Sequence, residues 1–120
     1  MNRNNPWNLE SNINEISAFR HERDWEKFHK PKELATAVSI EASELQELFL
    51  WRENESAREI QSDTSYMKRI QEEVADIAIY LLFLAHDLEI NLSDAIADKL
   101  VLNERKYPVD RYKGIYKQSE

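Results

Sequence analysis

The sequence predicts an all-α protein resembling a four-helix bundle, and three observations lead there. Apolar residues recur at helical spacing in four separate stretches. Only one glycine, Gly114, occurs in 120 residues. The three prolines, Pro6, Pro31 and Pro108, fall at or outside the ends of those stretches. So little glycine leaves nothing for hairpin turns or phosphate-cradling loops, which excludes a P-loop and a Rossmann turn. Any phosphate chemistry therefore rests on side chains and metal.

The first helix is predicted from about Leu9 to Glu22, with Ile13, Ile16, Ala18 and Phe19 toward one face. It ends in the charged aromatic segment HERDWEKFHK. Pro31 suits the first turn of a second helix running to about Trp51. Projected at about 100° per residue, Leu34, Ala37, Val38, Leu45, Leu48 and Phe49 share one arc, with Glu41 in its middle and Glu44 at its edge. Glu47 projects away as a solvated residue. A polar stretch follows, with room for a short helix from Ser56.

A third helix is predicted from about Tyr66 to Asp87, with a stripe of Ile70, Val74, Ile77, Leu81 and Leu84 and with Glu73, Asp76 and Tyr80 along one edge. Its centre, IAIYLLFLA, is apolar on every side, as expected of a bundle interior or a subunit interface. Ser93 is the expected N-cap of a fourth helix ending near Lys106, stopped by Pro108. One domain over residues 1–120 is expected, with tails at 1–8 and 109–120.

Sixteen basic against 23 acidic residues give a net charge of −7, so the footprint of a sequence-independent nucleic-acid binder is missing. No cysteine is present, which excludes disulfides and thiolate chemistry and makes the cytoplasm the default compartment. The longest apolar run, Ile77 to Ala85, falls far short of the roughly 20 residues of a membrane span. A soluble protein with no membrane partner is expected.

The main chemical clue is a pair of acidic i, i+3 motifs, Glu41-Ala42-Ser43-Glu44 and Glu73-Val74-Ala75-Asp76. Such motifs are most often solvated or paired with lysine. Glu41, however, interrupts an apolar stripe, and a buried carboxylate needs a partner. If the two helices pack antiparallel, the four acids converge and call for a hard divalent ion, magnesium first and manganese second. A di-iron bundle requires two Glu-x-x-His elements, and the chain has one, Glu26 to His29.

Trp25, Phe28 and His29 in the first connection, Trp51 at the end of the second helix and Tyr80 one turn from Asp76 are either bundle-capping aromatics or a surface for stacking a base. Lys99, Asn103 and Lys106 share a polar stripe that is either solvated or a source of positive charge for phosphates. His21 and His86 read as surface residues.

Taken in order, RDWEKFHKP, EASELQELFLW, QEEVADIAIYL and KLVLNERKYP resemble the MazG-like all-α nucleoside triphosphate pyrophosphohydrolases, in their dCTP pyrophosphatase branch. The likeness extends over about residues 9–112. It implies a helical homo-oligomer, usually a homotetramer, that hydrolyses a nucleoside triphosphate to the monophosphate and pyrophosphate. It also implies that Glu41, Glu44, Glu73 and Asp76 are magnesium ligands of the catalytic centre. Trp25, His29, Trp51 and Tyr80 match the base and sugar pocket, and Lys99 and Asn103 match positions that meet substrate. One position departs: where animal members carry a histidine, nine residues before the tryptophan of the first connection, this chain has Ile16. Two rival readings stand beside the family's: a non-catalytic helical interaction module, and a pyrophosphohydrolase preferring another nucleotide such as dUTP.

Overall fold

The computed structural model describes residues 8–115, and among them there are helices and no strands. The α-helices are α1 (Leu9–Glu22), α2 (Pro31–Phe49), α3 (Ala57–Gln61), α4 (Thr64–Asp87), α5 (Leu92–Lys106) and α6 (Val109–Tyr112), with one 3₁₀ turn at Glu26–Phe28. The chain divides into two compact units, the first ending at Leu88 and the second beginning at Glu89.

Local chemistry sets the helix ends. The Asn8 side chain accepts from the Ser11 N–H at 3.0 Å and caps α1. Pro31 opens α2 where its missing N–H costs nothing, and Glu33 accepts from the Lys30 N–H at 3.2 Å. Ser56 caps α3, the short helix foreseen there, and Asp63 caps α4 by accepting from the Tyr66 N–H at 3.2 Å.

In the first unit α4 is the hub, packed against α1, α3 and, most extensively, α2. The α2–α4 pair is antiparallel, because its contacts run in opposite chain directions. The Tyr66 hydroxyl donates to the Leu48 carbonyl at 2.8 Å, Glu41 meets Glu73 and Asp76, and the His29 ring just before α2 lies 5.5 Å from that of Phe83. Leu34 (1% exposed), Leu82, Phe83, Ala85 and Tyr66 are buried. Complete burial of one such leucine contributes about 1.5–3 kcal/mol.

The α2 arc lies inward as expected: Leu34 is buried, Ala37, Val38, Glu41, Leu45 and Leu48 are half-buried, and only Phe49 is exposed. On α4 the inward row is Ile70, Glu73, Ile77, Tyr80 and Leu84, all half-buried. Val74 and Leu81, expected in the stripe, are 49% and 41% exposed. A helix apolar all round has more apolar surface than one neighbour covers, and this one turns Glu73 toward Glu41 of α2 and Tyr80 toward the His29 ring.

An ion pair between buried Arg20 and more exposed Asp87 ties α1 to the end of α4. Arg20 donates two hydrogen bonds to Asp87, at 2.9 and 2.7 Å, and its guanidinium lies 4.3 Å from the centre of the Phe83 ring. The bidentate geometry holds the Asp87 carboxyl below its ordinary range.

In the second unit, Asn91 caps α5 by accepting from the Asp94 N–H at 3.1 Å, two residues before the expected Ser93. Both residue types cap well, and the earlier one admits Leu92 to the first turn. The segment after Pro108 carries the single helical turn α6, and the Tyr107 ring meets that of Tyr112 edge-on at 5.2 Å. No helix among the described residues is long and apolar enough to cross a membrane.

Candidate functional site

The antiparallel α2–α4 pair brings the two acidic motifs together. Carboxylate oxygens of Glu41, Glu73 and Asp76 all lie within 4.8 Å of one another. Glu44, one turn along α2, stands beside Glu41 and remains exposed. None of the four acids forms an ion pair with a lysine or arginine among the described residues, so the lysine-paired alternative does not describe them.

The cluster is electrostatically frustrated. Glu41 is raised from its ordinary 4.5 to about 7, first by a hydrogen bond shared with Glu44, then by burial, then by Glu73 and the charges of Glu44 and Asp76. Oε2 of Glu41 and Oε2 of Glu73 are buried with no hydrogen-bond partner. Buried acceptors without donors are rare because each forfeits its hydration. Crowded oxygen ligands with unmet lone pairs fit a hard divalent cation such as magnesium. Glu41, Glu73 and Asp76 would hold it, with Glu44 adjacent.

A cavity of about 430 Å³ opens beside the acids, within the range of small-molecule sites. Asp76 belongs to both the cavity wall and the acid cluster. Trp25, His29 and Tyr80, three of the four aromatics assigned to the base and sugar, line this cavity together with Phe83 and Ile79. Backbone hydrogen bonds fix the first two: the Trp25 N–H donates to the Arg20 carbonyl at 3.1 Å, and the His29 N–H donates to the Glu26 carbonyl at 3.0 Å. Phe19 meets the Trp25 ring edge-on at 5.7 Å. Burial, then the charge of Arg20, lower the His29 pKa, which favours a neutral imidazole. Its Nδ1 is buried without a partner.

Trp51, the fourth aromatic, is not among the cavity's lining residues. It is 90% exposed and borders a separate surface depression with Arg52, Glu53, Glu55 and Glu59. Arg52 anchors this turn, donating to Glu55 at 2.8 Å with its guanidinium 3.8 Å from the centre of the Tyr66 ring. In the second unit Lys99 is exposed and Asn103 half-buried, four residues apart on one face of α5.

The cavity wall contributed by α1 is Glu15, Ile16 and Phe19; Ile16 is the sequence's departure from the family's histidine, whereas Glu15 and Phe19 were not foreseen as binding surface. Helical spacing placed Ile16 and Phe19 on an apolar face, which does not distinguish core from cavity, and Glu15 gave no signal. Arg20 continues the Leu9, Ile13, Ile16 row, where a charge needs a buried partner, and that was a usable hint.

A family model described as MazG-like matches residues 36–120. The chain is 40% identical over 96 residues to dCTP pyrophosphatase 1 of Bos taurus, covering 80% of this chain and 57% of that protein. It is 38% identical over 90 residues to dCTP pyrophosphatase 1 of Homo sapiens, covering 75% and 53%. It thus spans a little over half the length of the curated relatives it matches. The crystal structure of a pyrophosphatase from Archaeoglobus fulgidus DSM 4304 superposes with a TM-score of 0.74 at 42% identity, over 83% of this chain and 92% of that one. With its acidic helix pair and more than half its length matched, the chain belongs to the MazG-like family.

Proposed function

We propose that this protein is a magnesium-dependent nucleoside triphosphate pyrophosphohydrolase that acts on dCTP or a modified dCTP, with manganese as a substitute ion, and serves nucleotide pool sanitation in the cytoplasm. The observation that carries this reading is the double placement of Asp76, which adjoins an acid cluster suited to a phosphate-bound cation and also lines an aromatic cavity suited to a base and sugar. The dCTP pyrophosphatases among its relatives support the substrate class.

Hydrolysis adds water across the bond between the α and β phosphates, giving the monophosphate, pyrophosphate and a proton. Bound magnesium supplies charge neutralisation at the triphosphate oxygens and on the departing pyrophosphate. Glu41, Glu44, Glu73 and Asp76 orient that ion and so the phosphate chain. Glu41 orients the attacking water and takes its proton. Trp25, His29 and Tyr80 hold the base and sugar, with neutral His29 offering one donor and one acceptor. The roles of Trp51, Lys99 and Asn103 toward substrate carry over from the family pattern.

Product analysis over canonical and modified ribo- and deoxyribonucleoside triphosphates tests the reading. The expected result is monophosphate plus pyrophosphate, fastest from dCTP or its 5-substituted forms. Release of orthophosphate, or no release from any nucleotide, contradicts it. A second preference, for dUTP, is favoured by Ile16, which puts an apolar side chain in the cavity where the animal members have histidine; the same panel decides.

We also propose that the active form is a homo-oligomer, either a dimer or a tetramer. Val74 and Leu81 on α4 and Ile40 on α2 are exposed, an uneconomical arrangement for a lone chain. Sedimentation is expected to give a mass two or four times that of the chain, and a monomer at micromolar concentration contradicts it.

A further inference from the structure

We propose that Glu15 is the specificity-determining residue of the cavity, and that it selects a nucleobase carrying an exocyclic amino group, a 4-aminopyrimidine over its 4-oxo counterpart. The inference rests on the proposed use of the cavity for a nucleotide. Glu15 lines the same cavity as Trp25, His29 and Tyr80, and only one other acid does so, Asp76, which belongs to the metal-binding cluster.

Glu15 is exposed and makes no hydrogen bond or ion pair among the described residues, and the cations of α1 and the turn after it are engaged elsewhere. Arg20 is bound to Asp87, Lys27 to Asp24 at 3.0 Å, and Arg23 lies on the Phe19 ring at 3.6 Å while donating to the Phe19 carbonyl. An unspent carboxylate therefore borders a cavity otherwise walled largely by rings and aliphatic groups.

An ionised carboxylate only accepts hydrogen bonds. It repels the triphosphate, so the phosphates lie toward Asp76 and its cation and the other end of the nucleotide faces Glu15. A 4-amino group donates to such an acceptor, as it does when Glu or Asp reads cytosine in nucleic acids. A 4-oxo group sets a second acceptor against the carboxylate and is disfavoured. Ile16 and Phe19, on the same face of α1, supply the apolar contact, and Glu15 supplies the discrimination.

The test compares kcat/KM for dCTP and dUTP in the wild type, Glu15→Leu and Glu15→Gln, with helicity checked by circular dichroism. The wild type is expected to favour dCTP. Glu15→Leu is expected to lower the dCTP-to-dUTP ratio by about tenfold or more, weakening dCTP while dUTP improves. Glu15→Gln, which accepts and donates, is expected to fall between. An unchanged ratio overturns the proposal, as does a parallel loss for both nucleotides, which would place Glu15 against the sugar. The same ratio read as nucleotide-induced shifts in melting temperature needs no turnover. A wild type that releases nothing but shows a Glu15-dependent cytosine preference defeats the hydrolase reading alone, and active enzyme with an unaltered ratio defeats this inference alone.

Discussion

Glu41→Gln and Asp76→Asn are each expected to reduce magnesium-dependent turnover by about a thousandfold, on the order of 4 kcal/mol of transition-state stabilisation. Both changes keep side-chain size and remove one charge from a cluster whose oxygens lie within 4.8 Å. In the absence of magnesium the same changes are expected to raise the melting temperature. Glu41→Gln relieves the repulsion among the acids and offers an amide donor to the unpartnered Oε2 of Glu73. Loss of activity with a gain in metal-free stability is the signature of a site held together for function. Initial rates and thermal melts on the same preparations read both effects. Undiminished turnover in both variants contradicts the assignment of the acids.

The second large effect is the pH dependence of stability. The folded-state pKa of Glu41 is about 7 against an ordinary 4.5. A raised pKa means that the folded protein holds its proton where the unfolded chain has lost it. The associated stability is complete below about pH 4.5, declines as pH rises and is gone above about pH 7. In chelator the melting temperature is therefore expected to fall between these limits. Magnesium, which binds the ionised cluster, is expected to restore stability at and above neutrality and to matter little in acid. Thermal melts across this range with chelator and with magnesium check it. A melting temperature insensitive to the ion at every pH contradicts the prediction.

Residues whose roles follow from periodicity were legible in the sequence. Glu41 stood out because it interrupts an apolar arc, and Leu34 and Leu45 marked the direction of the core. The second acidic motif became meaningful because helix geometry brings i and i+3 to one side, and the antiparallel α2–α4 pairing then carries one pair to the other. The rotation of α4 was not legible. With apolar residues on all sides, spacing cannot rank Val74 against Glu73 as the inward position, and contact with α2 decides. On α1 the family's histidine position pointed to Ile16, but Phe19 escaped for a related reason: an apolar face looks the same whether it meets a core or a cavity. Trp51 matched a family position, yet its exposure depends on the turn anchored by Arg52, which no local pattern announces.

The central claim is that the acids of α2 and α4 and the adjoining cavity form one hydrolytic site. Pyrophosphate release from dCTP by the wild-type protein near neutral pH, with magnesium and then with chelator, tests it most directly. Release in magnesium that chelator abolishes and added magnesium restores is the predicted result. Equal release in chelator, or none in magnesium from protein shown to be folded, would contradict it.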